Sequence, residues 1–428
     1  MLVLELNDAG LRLSDGAQVM LCEPGFASVD GAQIMVGEAA RRLARLQPRL
    51  SHSRYWYQLD QAPLDRVMAS ARSTADLAYW QLQQLREAAA GQPLLLAVPS
   101  SFEADQLGLL LGLCRAAELG AVGLVDAAVA AASTEPHEGV VLHVDLQLHR
   151  VWMTRLEVAG FVARGSSHDL AKPGLMAVWD TAATVIAEAF VHQTRVDPLH
   201  SAASEQLLYD ELPGWLAQLQ RAPVASLSFN VRGRSHRISL ARDALVTALA
   251  PMVNRITQAL RADVDATPGA QVALSDRAAA IPGLVEALTE AMSRPPQLLD
   301  SLATARGALT HVDRIRSGAE ALPWVTRLPA SDVVSAVPVA VAAPQSPAGP
   351  PPTHLLLGDE AISLHDTASL AGWGLSLQID AAGLPQLRAA PDLWLNGAAV
   401  TADTSLALGD RLAAQGREWR LIRVVGLP

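Results

Sequence analysis

Residues 97–132 read AVPSSFEADQLGLLLGLCRAAELGAVGLVDAAVAAA, and their hydrophobic period changes as the chain runs. The segment leading in, LLLAVPS, is an unbroken apolar run closed by proline and serine, the pattern of a buried strand. SFEADQLGLLLGLCRAAELG then carries apolar residues at helical spacing, VGLVD reads as a second short strand, and DAAVAAAS as a second helix. Strands alternating with helices indicate α/β layers. Upstream, LVLELND and GLRLSDG alternate like the two arms of a hairpin, and downstream VVLHVDLQ and HRVWMTRLEV do the same. Leu170 to Leu219 is mainly helical in pattern, SLSFNVRGRSHRISL is a hairpin turning near Gly233, and ARDALVTALAPMVNRITQALRA is a long helix. AQVALSD reads as a strand and IPGLVEALTEAM as a helix with Pro282 in its first turn.

The 428 residues give length enough for two or three domains. Half are hydrophobic, 4% aromatic and 18% charged, a globular profile rather than a disordered one. A formal charge of −10 argues against nucleic-acid or anionic-membrane binding, which depends on clustered cations. Lys172 is the lone lysine. Cys22 and Cys114 are too few for a disulfide scaffold or metal cluster, and both are expected to be small buried side chains. MLVLELNDAG has acids where a signal peptide would be basic, and no run of ~18 apolar residues occurs, so no membrane insertion and a cytoplasmic setting are expected. The clearest seam is ASDVVSAVPVAVAAPQSPAGPPP, whose composition reads as an extended linker. It divides the chain into a body (1–329), a linker (330–352) and a small module (353–428).

Ala97 to Ala132 is similar, without a gap, to the V-P-x-x-F, Q and A-G-L segment of DnaK-type heat-shock chaperones, whose nucleotide-binding domain belongs to the actin and sugar-kinase superfamily. FASVDGAQIMVGEAARRL, the SEQ at Ser204–Gln206, SLSFNVRGRSHRISLARDAL and ATARGALTH extend the resemblance, in order, over roughly residues 1–320. It implies an α/β fold of two lobes around a cleft, a bilobed actin-like ATPase fold. It also implies a site made of two glycine-bearing phosphate hairpins, two acids near magnesium, a lysine, a glutamate and a glycine-rich adenosine contact.

On these positions the chain departs throughout. The family's D-L-G-T-T corresponds to Glu5, Leu6, Asn7, Asp8 and Ala9, where Asp8 adds an uncompensated negative charge in the phosphate's place. The family's D-L-G-G-G-T corresponds to Asp145, Leu146, Gln147, Leu148, His149 and Arg150, so side chains stand where glycine would let backbone N–H groups close on an anion. The glutamate falls on Ala127, with Asp126 beside it, and LQPRLSHSRYWYQL, where the family's lysine would lie, has none, Arg54 being a cation that could substitute. Glu205 matches at the adenosine end, but Leu208 and Tyr209 replace a basic pair, and Ser275 and Asp276 replace the late glycines. Glu5 and Asp145 retain acids at the magnesium positions, and His149 with Arg150 offers an anion contact through side chains. His143 and His149 lack further ligands for zinc, and Ser166, Ser167, His168 and Asp169 read as a loop rather than a triad.

The tail alternates in LWLNGAAV, SLALGDRL and EWRLIRV, with turns at Asn396–Gly397, Gly409–Asp410 and Gln415–Gly416, and reads as an all-β, sandwich-like module. It resembles a forkhead-associated domain. Asp359 after Gly358 would repel phosphate, and Gln378 stands where a histidine would help Ser376, so no phosphothreonine recognition is expected. HLLLGD resembles the chaperone's interdomain linker, but too little chain follows for a peptide-binding domain with its lid. The expectation is a DnaK-like pseudo-ATPase without cofactor, a scaffold binding protein partners through its cleft and its tail. Two alternatives are a divergent ATPase binding ATP and magnesium, and an actin-like assembly subunit.

Overall fold

Apolar residues in LVLE and LRLS place β1 (Leu2–Glu5) and β2 (Leu11–Ser14) as an antiparallel pair, and β3 (Val19–Glu23) adds to β2. The computed structural model describes residues 1–331 apart from 32, 65–70, 172–173, 232 and 318–321. Beyond the linker it describes 352–357, 360–364, 370, 375–379, 385–388, 393–395, 398–400, 404–406, 408, 410–414 and 417–422. Cys22 is exposed, contrary to expectation, because even-numbered positions of β3 face outward; Cys114 is buried. A small sheet follows from β4 (Ala27–Asp30), β5 (Gln33–Val36) and β6 (Ser51–His52), with the short helix α1 (Gly37–Arg41) between the last two.

Helix α2 (Thr74–Ala89) starts at a capping box of Ser73 and Asp76, which satisfies otherwise orphaned N–H groups. Strand β7 (Leu94–Val98) is buried at every position and lies parallel to β1. Helix α3 (Ala104–Ala116), strand β8 (Ala121–Asp126) and helix α4 (Ala127–Ser133) complete the pattern read from Ala97 to Ala132, with β8 parallel to β7.

The chain then repeats the plan. Strands β9 (Gly139–Leu146), β10 (Val151–Val158) and β11 (Phe161–Ala171) form a second antiparallel meander. The polar run at Ser166–Asp169 is therefore strand and not loop, since ladder hydrogen bonds use backbone groups and do not need apolar side chains. Helices α5 (Leu175–Thr194) and α6 (Ala202–Arg221), the hairpin β12 (Val224–Val231) and β13 (Arg234–Ala241), and helix α7 (Arg242–Ala266) lead to β14 (Gln271–Leu274), parallel to β9. By length and composition α5 is apolar enough to cross a membrane, yet Trp179, Ala182, Ile186 and Phe190 are buried in the core.

The body ends with α8 (Asp276–Ala279), α9 (Leu284–Met292), β15 (Gln297–Leu298), α10 (Ala303–Thr310), α11 (Val312–Ile315), β16 (Trp324–Val325) and β17 (Arg327–Pro329). Pro282 lies just outside α9, because Gly283 takes a left-handed φ of 85° as its N-cap. The fold is mixed α/β, with two six-stranded sheets, β3-β2-β1-β7-β8-β16 and β17-β11-β10-β9-β14-β15, which share the order of a meander followed by two parallel strands and carry β16 and β17 at opposite ends of that order. Helices α4 and α10 share one apolar cluster with both sheets, through Val3, Leu95 and Val125 on one and Val141, Leu156 and Ala273 on the other.

The chain divides into two compact units, Met1–Val333 and Val334–Pro428. Ala330 and Ser331, assigned to the linker by composition, are bound to the body: their N–H groups donate to the Gly160 and Ser133 carbonyls at 3.1 and 2.9 Å. In the second unit the strands are β18 (His354–Leu357), β19 (Glu360–Ser363), β20 (Leu377–Ile379), β21 (Pro385–Leu387), β22 (Leu393–Leu395), β23 (Ala398–Ala399), β24 (Thr404–Ser405), β25 (Arg411–Ala414) and β26 (Arg417–Ile422). They form two antiparallel sheets around Leu355, Leu387, Leu393, Leu412 and Trp419. HLLL is thus a strand of this unit, paired with β19 and β26, and not an interdomain tether.

Candidate functional site

The two turns that the sequence sets apart, Leu6–Gly10 after β1 and Gln147–Arg150 after β9, face each other and are bonded together. Asn7 Nδ2 donates to Asp145 Oδ2 at 2.7 Å and to the Leu146 carbonyl at 3.1 Å. The Leu148 N–H donates to Asp8 Oδ1 at 2.7 Å. Asp8 is therefore not uncompensated: its carboxylate takes a backbone donor of the opposite turn. Burial pushes the Asp8 carboxyl up to about 6, against the pull of the Leu148 N–H and of Arg150.

Helix α5 closes the second turn from the other side. Its first two N–H groups, orphans in any helix, donate from Leu175 to the Gln147 carbonyl at 2.9 Å and from Met176 to the Leu148 carbonyl at 3.0 Å. The approach requires Gly174, where an added Cβ would lie 2.2 Å from the Gln147 oxygen and 2.3 Å from the Arg150 nitrogen. Leu148 is fully buried in an apolar cluster with Phe26, Ala40 and Trp179.

Glu5, Asp145 and Asp276 all have partners within the protein, two of them arginines. Arg277 Nη1 donates to Glu5 Oε1 at 2.6 Å, and its Nη2 donates to the Gly10 carbonyl at 2.8 Å. Burial alone would lower the Arg277 pKa, but Glu5, Asp145 and Asp276 raise it above the ordinary arginine value, so the guanidinium stays charged. Ser275 Oγ donates to Asp145 Oδ1 at 2.6 Å and caps α8 by accepting from the Ala278 N–H. Arg12 binds Asp276 through both oxygens, at 2.8 and 2.6 Å. Burial would raise that carboxyl, yet Arg12 and Arg277 hold it below its usual value.

The proposed side-chain anion contact is also taken up within the protein. Arg150 donates from Nε to Gln147 Oε1 and lies over the rings of Tyr57 and Trp152, 4.6 and 4.5 Å from their centroids. Burial holds its pKa below the ordinary arginine value. His149 turns away from the pair, its Nε2 2.8 Å from the Ser53 carbonyl oxygen, which only a ring N–H satisfies; burial lowers its pKa. Among the described residues, the space beside Asp8, Trp56, Tyr57, Gln147 and Arg150 measures about 10 Å³, and that beside Glu5, Asp145, Ser275 and Arg277 about 20 Å³. Each is the size of roughly one water, whereas ligand sites run to ~300–1,000 Å³.

The other sequence candidates lie elsewhere. Glu205 sits 3.5 Å from Arg45, which also pairs with Asp180 at 2.6 Å and stacks on Tyr209 at 3.7 Å; Leu208 is fully buried. Arg41 joins the same side, donating to the Tyr209 carbonyl at 3.0 Å, so residues in and just after α1 are tied to α5 and α6. Asp126 caps α4 and accepts from Ser100 Oγ at 2.7 Å; Ala127 brings no acid, and Arg54 is exposed. His168 Nε2 lies 3.5 Å from Asp263, while Ser167 donates to the Ser100 carbonyl, as alternation along β11 requires, and no triad forms. Among the described residues no group of three or more His, Cys, Asp or Glu could hold a metal. Gly358 and Asp359 lie outside the described residues; Ser376 is exposed, and Gln378 pairs with Gln386 in the β20–β21 ladder.

Arg277 and Arg12, which neutralise Glu5 and Asp276, were not singled out in the sequence. The one available signal was an arginine directly after Asp276. No protein-family model matches the chain, and no curated protein matches it.

Proposed function

We propose that the body is a DnaK-like pseudo-ATPase, two lobes of an actin-like fold whose nucleotide cleft has been converted into internal packing, and that the protein serves as a scaffold for protein partners. The doubled strand order supports two lobes, each contributing one sheet and one turn. The observation that carries the reading is the bond from the Leu148 N–H to Asp8: a backbone donor suited to a phosphate is satisfied by a side chain of the opposite turn. The residues do not fit ATP and magnesium, since Glu5 and Asp145 already have partners and the adjacent voids hold about one water each. The tail, on this reading, is a forkhead-associated-like docking module that does not read phosphothreonine. The linker raises its effective concentration at whatever the body binds.

Titration calorimetry with ATP and magnesium tests this, with Asp145→Ala as control. The expected result is no binding heat at millimolar nucleotide. Micromolar binding that Asp145→Ala abolishes would establish the divergent ATPase instead.

A further inference from the structure

Cross-strand partners share a face of a hairpin, so in β12–β13 Phe229 faces with His236 and Leu227 with Ile238. Phe229, Leu227 and Ile238 are buried against α5 and α6, which places His236, Val231 and Arg234 on the same inner face nearer the turn. Across from them stand the residues joining α5 to α6, with Arg195 and His200 exposed, and the first turns of α6, where Leu207 is 44% exposed. Between the two runs lies a cavity of about 820 Å³.

None of Arg195, His200, Arg234 and His236 has an ion-pair partner among the described residues, in contrast to Arg12, Arg41, Arg45 and Arg277. The one acid in the wall, Asp197, accepts the Leu199 N–H at 2.9 Å. With histidine neutral, Arg195 and Arg234 against Asp197 leave the wall one formal positive charge, in a chain whose net charge is −10. No Phe, Tyr or Trp lines it among the described residues, so it lacks the stacking platform that single-stranded nucleic acid uses. Its two arginines are exposed, in the same wall as Leu207 and half-buried Val231, whereas small-molecule sites bury most of their ligand.

We propose that this cavity docks an acidic, aliphatic segment of a partner protein, with carboxylates bound by Arg195 and Arg234 and apolar side chains resting on Leu207 and Val231. Arginine suits that task because its planar fork pairs bidentately with carboxylate. The proposal stands whether or not the space between the turns binds nucleotide.

The test is fluorescence anisotropy on the full chain with a labelled peptide of alternating glutamate and leucine, against its lysine and leucine counterpart. The glutamate peptide should bind with micromolar Kd and weaken as salt is raised. Arg195→Glu with Arg234→Glu should weaken it at least about tenfold and create affinity for the lysine peptide, a gain that misfolding would not produce. Leu207→Ser should weaken the glutamate peptide severalfold. Equal binding of both peptides to the unaltered chain, no binding, or binding unaffected by the charge reversal would overturn the proposal. So would displacement of the peptide by inorganic phosphate or by oligothymidylate at equal concentration, which would mark a small-anion or nucleic-acid site.

Discussion

Asp8 belongs to one turn and spends its carboxylate on the other, and this sets a pH dependence. Burial raises its pKa in the folded chain to about 6, while the unfolded chain ionises it near 3.9. Between those values the folded state keeps a proton that the unfolded state has lost, so this group makes stability fall as pH rises from about 4 to about 6. The loss approaches ~3 kcal/mol and is complete above pH 6. Asp8→Asn removes the titration and keeps an oxygen to accept from Leu148. Urea unfolding from pH 4 to 7 should show the variant gaining on the parent by that order as pH rises, on top of a constant offset from the added amide. A difference that stays flat across the range would mean that the carboxyl is not held in this way. From sequence alone Asp8 looks unanswered, because the donor that answers it is 140 residues away. Identity of side chains was legible at these positions; their pairing across the chain was not.

Helix α5 is an element whose start is fixed by something outside itself. Its N-cap is Gly174, which makes no side-chain cap, and its first N–H groups end on the second turn's carbonyls. In Gly174→Ala the new methyl would meet backbone atoms at 2.2 and 2.3 Å, so either the helix or the turn must move. A loss of about 3 kcal/mol or more is expected, read as a fall of roughly 4 °C or more in the Tm of a unit of this size. Gly108→Ala in α3 is the control, since its Cβ would meet nothing within 4 Å and helical alanine is favoured by ~0.5–1 kcal/mol. If both variants melt alike, the close approach at Gly174 is not a constraint. Elements with strong periodicity, α3 and α7 among them, are legible in the sequence because burial of one face writes itself into composition. The strand β11 is not, since its GSSHD run pairs through backbone alone, and the Gly174 contact leaves no local pattern at all.

Each unit has apolar clusters of its own among the described residues: four lie in Met1–Val333, and one, around Leu355, Leu387, Leu412 and Trp419, lies in the second unit. Apolar area removed from water is the main favourable term in folding, so each unit has a driving force of its own. The doubled strand order within the first unit argues the same way: β16 and β17, consecutive in the chain, close one edge of each sheet and complete that unit before the linker begins. Residues 1–333 expressed alone should therefore unfold cooperatively, with a Tm within about 5 °C of the corresponding transition in the full chain. Scanning calorimetry of the full chain, of 1–333 and of 334–428 checks this, the full-chain trace being the sum of the other two. A single full-chain transition that neither piece reproduces, or a body that fails to fold without the tail, would show that the units share stabilising surface and that the tail is a structural part of the body rather than a tethered module.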